Sequence, residues 1–186
     1  MRRALLLTFF TALTMLLTGC ATTSPPPRRD DIAQLLTLQK TRLDVAAPVA
    51  RSKWNSGKPI DDPARERHIL DGLTDKAVAL GLDPAWTRAF FQSQFDAGKL
   101  AQRALHRQWR AEQRPPFADP PDLAREVRPV LDRLTPELLT ALTRLQGHLC
   151  DPEVMQAIDT LAPAILGADY PAPVRDKALE TLRCQR

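Results

Sequence analysis

The strongest constraint on this fold is a repeated pairing of a helix-capping residue with proline, in a chain almost without strand signals. Asp or Thr can accept hydrogen bonds from the free amides of a first helical turn, and proline in the next position loses no hydrogen bond. No alternating β-branched run occurs, and the Asp71-Gly72 pair lies inside a helical pattern of apolar residues. The sequence therefore predicts an all-α fold with helix starts at Asp62-Pro63, Asp83-Pro84, Thr135-Pro136 and Asp151-Pro152.

These signals predict a single domain of about six to seven helices. Gly81 and Pro115-Pro116 supply helix stops, and Pro48 should kink the first helix. The predicted helices cover about residues 31–54, 63–80, 84–113, 121–134, 136–149, 152–166 and 173–184.

Composition argues against several classes of function. The 186 residues include only 7 glycines, and no GxGxxG or GxxxxGK[ST] loop is present to hold a phosphate. No CxxC or HExxH spacing suggests a metal site. Removal of Arg2 and Arg3 with a leader would lower the formal net charge from +4 to +2, so the basic balance does not indicate a nucleic-acid partner.

The N-terminus has the pattern of an export signal, expected over residues 1–19. Arg2-Arg3 precedes an apolar run at 4–17 that is shorter than the ~20 residues needed to span a bilayer. The run ends in Leu17-Thr18-Gly19-Cys20, which looks like a bacterial lipobox with Cys20 as the lipidated residue. The alternative is a plain signal peptide cut near Ala21. We expect a periplasmic protein whose one link to the membrane is the lipid on Cys20.

Residues 20–31, with three consecutive prolines, read as an extended tether before a helical domain at 32–186. If the lipid occupies Cys20, then Cys150 and Cys184 remain as an even pair in an oxidising compartment. A disulfide is favoured, and two buried free thiols are the alternative.

Several polar residues fall at helical spacings that could serve a ligand. Arg42 and Lys53 are 11 residues apart, close to three helical turns, and could hold a dianion between them or simply extend to solvent. Asp62, Arg65 and Glu66 occupy a helix cap and first turn, where a surface ion pair is the plainer explanation.

The third predicted helix carries Gln94, Gly98 and Gln102 at four-residue steps. A glycine inside a helix costs about 1 kcal/mol, which suggests close approach of another group or close helix packing. Arg128, just before Pro129, indicates nothing by itself.

Together these positions closely resemble the pattern of the secreted, all-helical chorismate mutases. The resemblance covers about residues 32–186, is strongest up to Trp109, and implies a catalytic part at about 32–133 followed by C-terminal helices at about 136–186. Cys150 and Cys184 match the C-terminal disulfide of that class. The pattern consists of Arg42-Leu43, Val49-Ala50, Lys53-Trp54, Pro59-Ile60, Asp62-x-x-Arg65-Glu66 and Phe91-x-x-Gln94-x-x-Ala97-x-Lys99-x-x-Gln102, with a looser match at Asp122-Leu123 and Arg128-Pro129.

The resemblance implies an isomerase of aromatic amino-acid biosynthesis that converts chorismate to prephenate by a Claisen rearrangement. Such a reaction is unimolecular and needs no cofactor, metal or nucleophile. The competing hypotheses are a non-catalytic helical lipoprotein that binds a small acidic ligand or a protein partner, and a membrane-associated scaffold. The sequence leaves the oligomeric state open, with a homodimer as one option.

By this similarity, Arg42 and Arg128 would bind the two substrate carboxylates, since a guanidinium matches carboxylate geometry. Lys53 and Gln102 would donate hydrogen bonds to the ether oxygen, which gains negative charge in the transition state.

Glu66 would accept a hydrogen bond from the ring hydroxyl, Asp62 would lie in the pocket wall, and Arg65 would brace both. The sequence departs from the family pattern at Gly98, where Ser, Thr or Asn usually helps to hold a carboxylate.

Overall fold

The computed structural model describes residues 26–167 and 169–184, and this part of the chain is all-α, as predicted. The expected signal segment and the lipidation site at Cys20 lie outside the described residues. Within the described ranges, no helix combines the length and the apolar character needed to cross a membrane.

The helices follow one another through short connections. A π-helical turn at Leu123–Val127 leads directly into the fifth helix, and a 3₁₀ turn at Glu180–Leu182 follows the last. The helices are α1 (Arg29–Asp44), α2 (Ala46–Ser56), α3 (Pro63–Ala79), α4 (Pro84–Ala111), α5 (Arg128–Leu145), α6 (Pro152–Leu166) and α7 (Ala172–Leu179).

Three of the four predicted capping pairs start helices. The Asp62 carboxylate accepts a hydrogen bond from the Arg65 amide at 3.1 Å, and Asp83 accepts one from the Trp86 amide at 2.6 Å. Asp151 stands at the cap position of α6, although its side chain bonds the His148 ring instead of an amide of that helix.

The prediction of a helix start at Thr135-Pro136 is wrong, because α5 runs through both residues. The Thr135 hydroxyl donates to the Leu131 carbonyl at 2.8 Å, so it does not cap a new helix. A proline inside a helix costs about 3 kcal/mol. Burial of Leu134 and Leu138, at about 1.5–3 kcal/mol each, offsets that penalty and keeps the helix continuous.

The predicted first helix, 31–54, is two helices separated at Val45. Pro48 explains the position of the break. Its ring crowds the carbonyl four residues earlier, on Asp44, and it has no amide hydrogen to bond that carbonyl. The helical pattern restarts with the Val49 amide donating to the Val45 carbonyl at 3.2 Å.

The long helix α4 lies at the centre of the bundle and packs against α1, α2, α3 and α7. Phe90 and Phe91 are fully buried on it. The buried amides of Gln39 in α1 and Gln94 in α4 both donate to the Ala178 carbonyl in α7, at 2.8 and 2.9 Å. These two hydrogen bonds join α7 to α1 and α4, the helices that carry the predicted site residues Arg42 and Gln102.

The loop after α4 is fastened to α2 by a two-way hydrogen bond. The Asn55 amide nitrogen donates to the Phe117 carbonyl at 2.7 Å, and the Phe117 amide donates to the Asn55 side-chain oxygen at 2.9 Å. The Arg51 guanidinium lies 4.8 Å from the centre of the Phe117 ring and donates to the Asp119 carbonyl at 3.1 Å. We call this contact the Asn55–Phe117 clasp.

A disulfide joins Cys150 and Cys184, as the resemblance leads one to expect. Their Cα atoms are 4.8 Å apart, and the two residues are 34 positions apart in sequence. It connects the turn before α6 to the segment that follows α7.

The double substitution Cys150→Ser/Cys184→Ser should lower the free energy of unfolding by about 3–4 kcal/mol, because the bond removes loop-closure entropy from the unfolded chain. Urea unfolding of the oxidised wild type, the reduced wild type and the variant measures the difference. Equal stability of the variant and the oxidised protein would contradict the prediction.

Candidate active site

A cavity of about 370 Å³ opens between α2, α3, α4 and the π-helical turn, and we call it the charged cavity. Its wall contains six of the eight predicted substrate-binding residues, namely Lys53, Asp62, Arg65, Glu66, Gln102 and Arg128. A broader groove of about 730 Å³ beside Arg28 and Arg144 contains none of them.

The other two predicted residues, Arg42 and Gly98, line a smaller adjoining cavity of about 90 Å³. The two cavities share Val49, Phe95 and Gln102 as walls. The helix break at Val45 means that Arg42 and Lys53 do not lie on one continuous helical stripe. The fold nevertheless brings all eight residues to adjacent spaces.

Arg42 is a partly buried cation in the wall of the smaller cavity. Its guanidinium carbon lies 4.9 Å from the centre of the Phe95 ring. Its buried Nε has no hydrogen-bond partner among the described residues. Burial lowers the pKa of Arg42 to about 10, so the group remains charged at neutral pH. This arrangement leaves a desolvated guanidinium available to an anion.

Lys53 is half-buried in the wall of the charged cavity. Its ammonium donates to the Ile60 carbonyl at 2.6 Å and forms no salt bridge within the described ranges. Burial lowers the pKa of Lys53, while the nearby carboxylates, Asp62 foremost, act in the opposite direction.

Gln102 reaches the cavity from α4 and is only 8% exposed. Its side-chain oxygen is buried without a hydrogen-bond partner among the described residues. An amide oxygen buried without a partner is costly in free energy, so this oxygen is open to a hydrogen-bond donor. Lys53 and Gln102 also bring two possible donors, an ammonium and an amide nitrogen, to the wall of one cavity from different helices.

The start of α3 supplies the acidic side of the cavity. Asp62 caps the helix through its carboxylate. Arg65 is exposed at the rim and forms no ion pair with Asp62 or Glu66 in the described structure. Its side chain therefore makes neither the surface pair considered from sequence nor the bracing contact that the resemblance implied.

Glu66 pairs instead with Lys99, a residue that the sequence pattern contains but to which it assigned no role. The Lys99 ammonium lies 2.8 Å from Glu66 Oε2 and 2.9 Å from Asp96 Oδ1. Hydrogen bonds to these two carboxylates outweigh burial and raise the pKa of Lys99. The available signal was spacing, because Phe95, Lys99 and Gln102 recur at helical intervals on one face of α4.

Close helix packing, one of the two explanations offered for Gly98, is wrong. A Cβ placed there would meet no atom within 4 Å outside its own stretch of helix. The position faces open space beside Arg42, where a longer side chain could be accommodated.

Arg128 begins α5 immediately after the π-helical turn and is exposed. Leu123 and Val127 of that turn line the charged cavity together with Arg128. The turn thus forms the wall opposite α3.

The cavity carries an excess of positive charge. Two carboxylates, Asp62 and Glu66, face five cations, and one of these cations is already paired with Glu66. A cleft with a net excess of one sign of charge concentrates ligands of the opposite sign. The volume falls in the range of small-molecule sites. The site therefore suits a small dianion. The five cations are Lys53, Lys58, Arg65, Lys99 and Arg128.

Comparisons with known proteins agree on one family. The family model "Chorismate mutase type II" matches residues 30–103. The chain is 33% identical to the secreted chorismate mutase of Mycolicibacterium smegmatis, over 84% of this chain and 88% of the relative. It is 27% identical to that of Mycobacterium tuberculosis, over 90% and 85%. The crystal structure of a chorismate mutase from Burkholderia thailandensis superposes with a TM-score of 0.74 at 35% identity, over 82% of this chain and 98% of that one.

Proposed function

We propose that this chain, which belongs to the chorismate mutase family, isomerises chorismate to prephenate in the charged cavity. The observation that carries the proposal is the convergence of Lys53 and Gln102 on one cavity that also has Arg128 in its wall and Arg42 next to it. A site that only binds an acidic ligand has no need of two donors that can meet at one ether oxygen.

The reaction is a pericyclic rearrangement within one molecule, so the protein has two tasks. It must hold the enolpyruvyl side chain folded over the ring, and it must stabilise the negative charge that grows on the ether oxygen. Arg42 and Arg128 bind the two carboxylates and fix the folded conformer. Lys53 and Gln102 donate to the ether oxygen, and their effect is greatest in the transition state.

The acidic side of the cavity recognises the ring. Glu66 accepts a hydrogen bond from the ring hydroxyl, Asp62 forms the neighbouring wall, and Arg65 closes the rim. Gly98 has no side chain that could bind the substrate carboxylate next to Arg42. The Arg42 guanidinium and solvent therefore provide the hydrogen bonds to that carboxylate.

The test is incubation of the mature protein with chorismate, with and without a chelator, followed by ultraviolet absorbance. We expect conversion to prephenate that a chelator does not alter.

A Lys53→Ala variant purified identically controls for mutase from the expression host. It should lose about 2.7–4 kcal/mol of transition-state stabilisation, mostly in kcat, by analogy with loss of one oxyanion donor. A folded wild type without activity would refute the function, and a Lys53→Ala variant changed only in KM would refute the role of Lys53.

The pH dependence of kcat provides a second prediction. Gln102 does not titrate, so turnover should be nearly flat between about pH 5 and 8. Lys53 must be protonated to offer a positive charge to the ether oxygen. Because burial lowers its pKa, activity should be lost at a lower pH than the ordinary lysine range as the solution becomes basic. A Gln102→Glu variant should be active only on the acidic side, since its carboxylate would repel the developing oxyanion. A Gln102→Glu variant whose profile is as flat as that of the wild type would exclude Gln102 as a donor.

The protein is exported, and we propose that Cys20 anchors it to a membrane. The two mycobacterial relatives are both named as secreted, which supports export. The Leu17-Thr18-Gly19-Cys20 motif supports lipid attachment. The wild type should therefore fractionate with membranes, and a Cys20→Ser variant should not carry lipid by mass spectrometry. An unlipidated wild type that begins near Ala21 would favour ordinary signal cleavage.

A further inference from the structure

We infer that Lys99 is a positioning residue that aims the Glu66 carboxylate at the substrate. The inference rests on the proposed function and concerns a residue outside the predicted substrate-binding set.

Lys99 is held from two sides. Its ammonium bonds Asp96, one turn earlier on α4, at 2.9 Å and Glu66, on α3, at 2.8 Å. The side chains of Lys99 and Glu66 are only 15% and 17% exposed. Ion pairs fixed by two partners and shielded from water hold their geometry better than exposed pairs do.

Glu66 depends on this contact for its direction. Among the described residues, Lys99 is the hydrogen-bond partner of its carboxylate, and it engages Oε2. The bond leaves Oε1 without a protein donor, so that oxygen is the one available to a ligand hydroxyl. Glutamate has several rotatable bonds, and a fixed partner removes the freedom that binding would otherwise have to restrict.

Lys99 also offsets the charge of Glu66. The cavity is proposed to hold a dianion, and an unpaired carboxylate in its wall would repel that dianion. The Lys99 ammonium, 2.8 Å from Glu66 Oε2, weakens that repulsion.

Arg103 offers a matched control on the same helix. It lies four residues after Lys99 and also joins α4 to an acidic residue near the start of α3, since its Nη2 is 2.6 Å from Asp61 Oδ1. Its side chain is 39% exposed, that of Asp61 is 58% exposed, and neither residue lines the charged cavity. If loss of an ion pair affected only the stability of the protein, substitutions at Lys99 and at Arg103 would have similar effects.

The experiment compares steady-state kinetics with chorismate for the wild type, Lys99→Met, Lys99→Gln, Lys99→Arg and Arg103→Met, each checked for helical content. Lys99→Met and Lys99→Gln should lower kcat/KM by about 10-fold to 100-fold, the range for a lost hydrogen bond to a charged group. Lys99→Arg should recover most of the loss, because a guanidinium can still donate to Glu66. Arg103→Met should remain within about two-fold of the wild type, as expected for an exposed pair.

A double-mutant cycle with Glu66→Ala separates positioning from direct contact. If Lys99 acts through Glu66, Lys99→Met should cost little in the Glu66→Ala background. The same loss in both backgrounds would show that Lys99 binds the substrate itself and would overturn the inference, as would equal effects of Lys99→Met and Arg103→Met. An inactive wild type would overturn the proposed function, whereas an active wild type with unaffected Lys99 variants would overturn this inference alone.

Discussion

Burial of one face of α4 is the interaction on which the rest of the structure depends. Phe90, Phe91, Ala97 and Ala101 lie within the core along that helix. Helices α1, α2, α3 and α7 each cover part of it. Because α1, α2 and α3 pack on one rod, residues far apart in sequence meet around Gln102. The apolar packing therefore provides both the stability and the geometry of the cavity.

The charged residues of the site are of two kinds: those that have a counter-ion within the folded protein and those that do not. Glu66 has its lysine partner. Arg42 has an aromatic face beside it, and Lys53 has one carbonyl, but neither has a carboxylate within the described residues. A desolvated charge without a counter-ion is unfavourable in free energy. A bound anion supplies the missing counter-charge, so the same desolvated cations then contribute favourably to the free energy. Fixed charges can in this way stabilise a ligand without any rearrangement of the protein.

The sequence predicted the helices well wherever a local signal decided the structure. Asp62-Pro63 and Asp83-Pro84 mark helix starts because the cap and the proline act within a single turn. Thr135-Pro136 has the same local form, yet the buried leucines around it decide the outcome, and their burial depends on packing against other helices. The helix breaks at Val45 and not at Pro48, the proline that causes the break, because a proline disrupts the hydrogen bond to the carbonyl four residues earlier.

The site was predictable by resemblance but not by periodicity. Periodicity alone could not assign Lys99 to Glu66, since that contact joins two helices across 33 positions. Nor could it show that the space beside Gly98 is open, because the neighbours of a helical glycine come from the rest of the fold.

The Asn55–Phe117 clasp determines whether the loop after α4 becomes ordered during folding or during ligand binding. Asn55 lies two residues after Lys53 on α2, and Phe117 lies six residues before Leu123 in the opposite wall. Pro120-Pro121 stiffens the short segment between clasp and wall. The loop is thus organised as the chain folds, and the entropy lost in ordering it does not count against ligand binding. A wall that is ordered during folding spares ligand binding the entropy of ordering that loop, so more of the contact free energy remains as affinity.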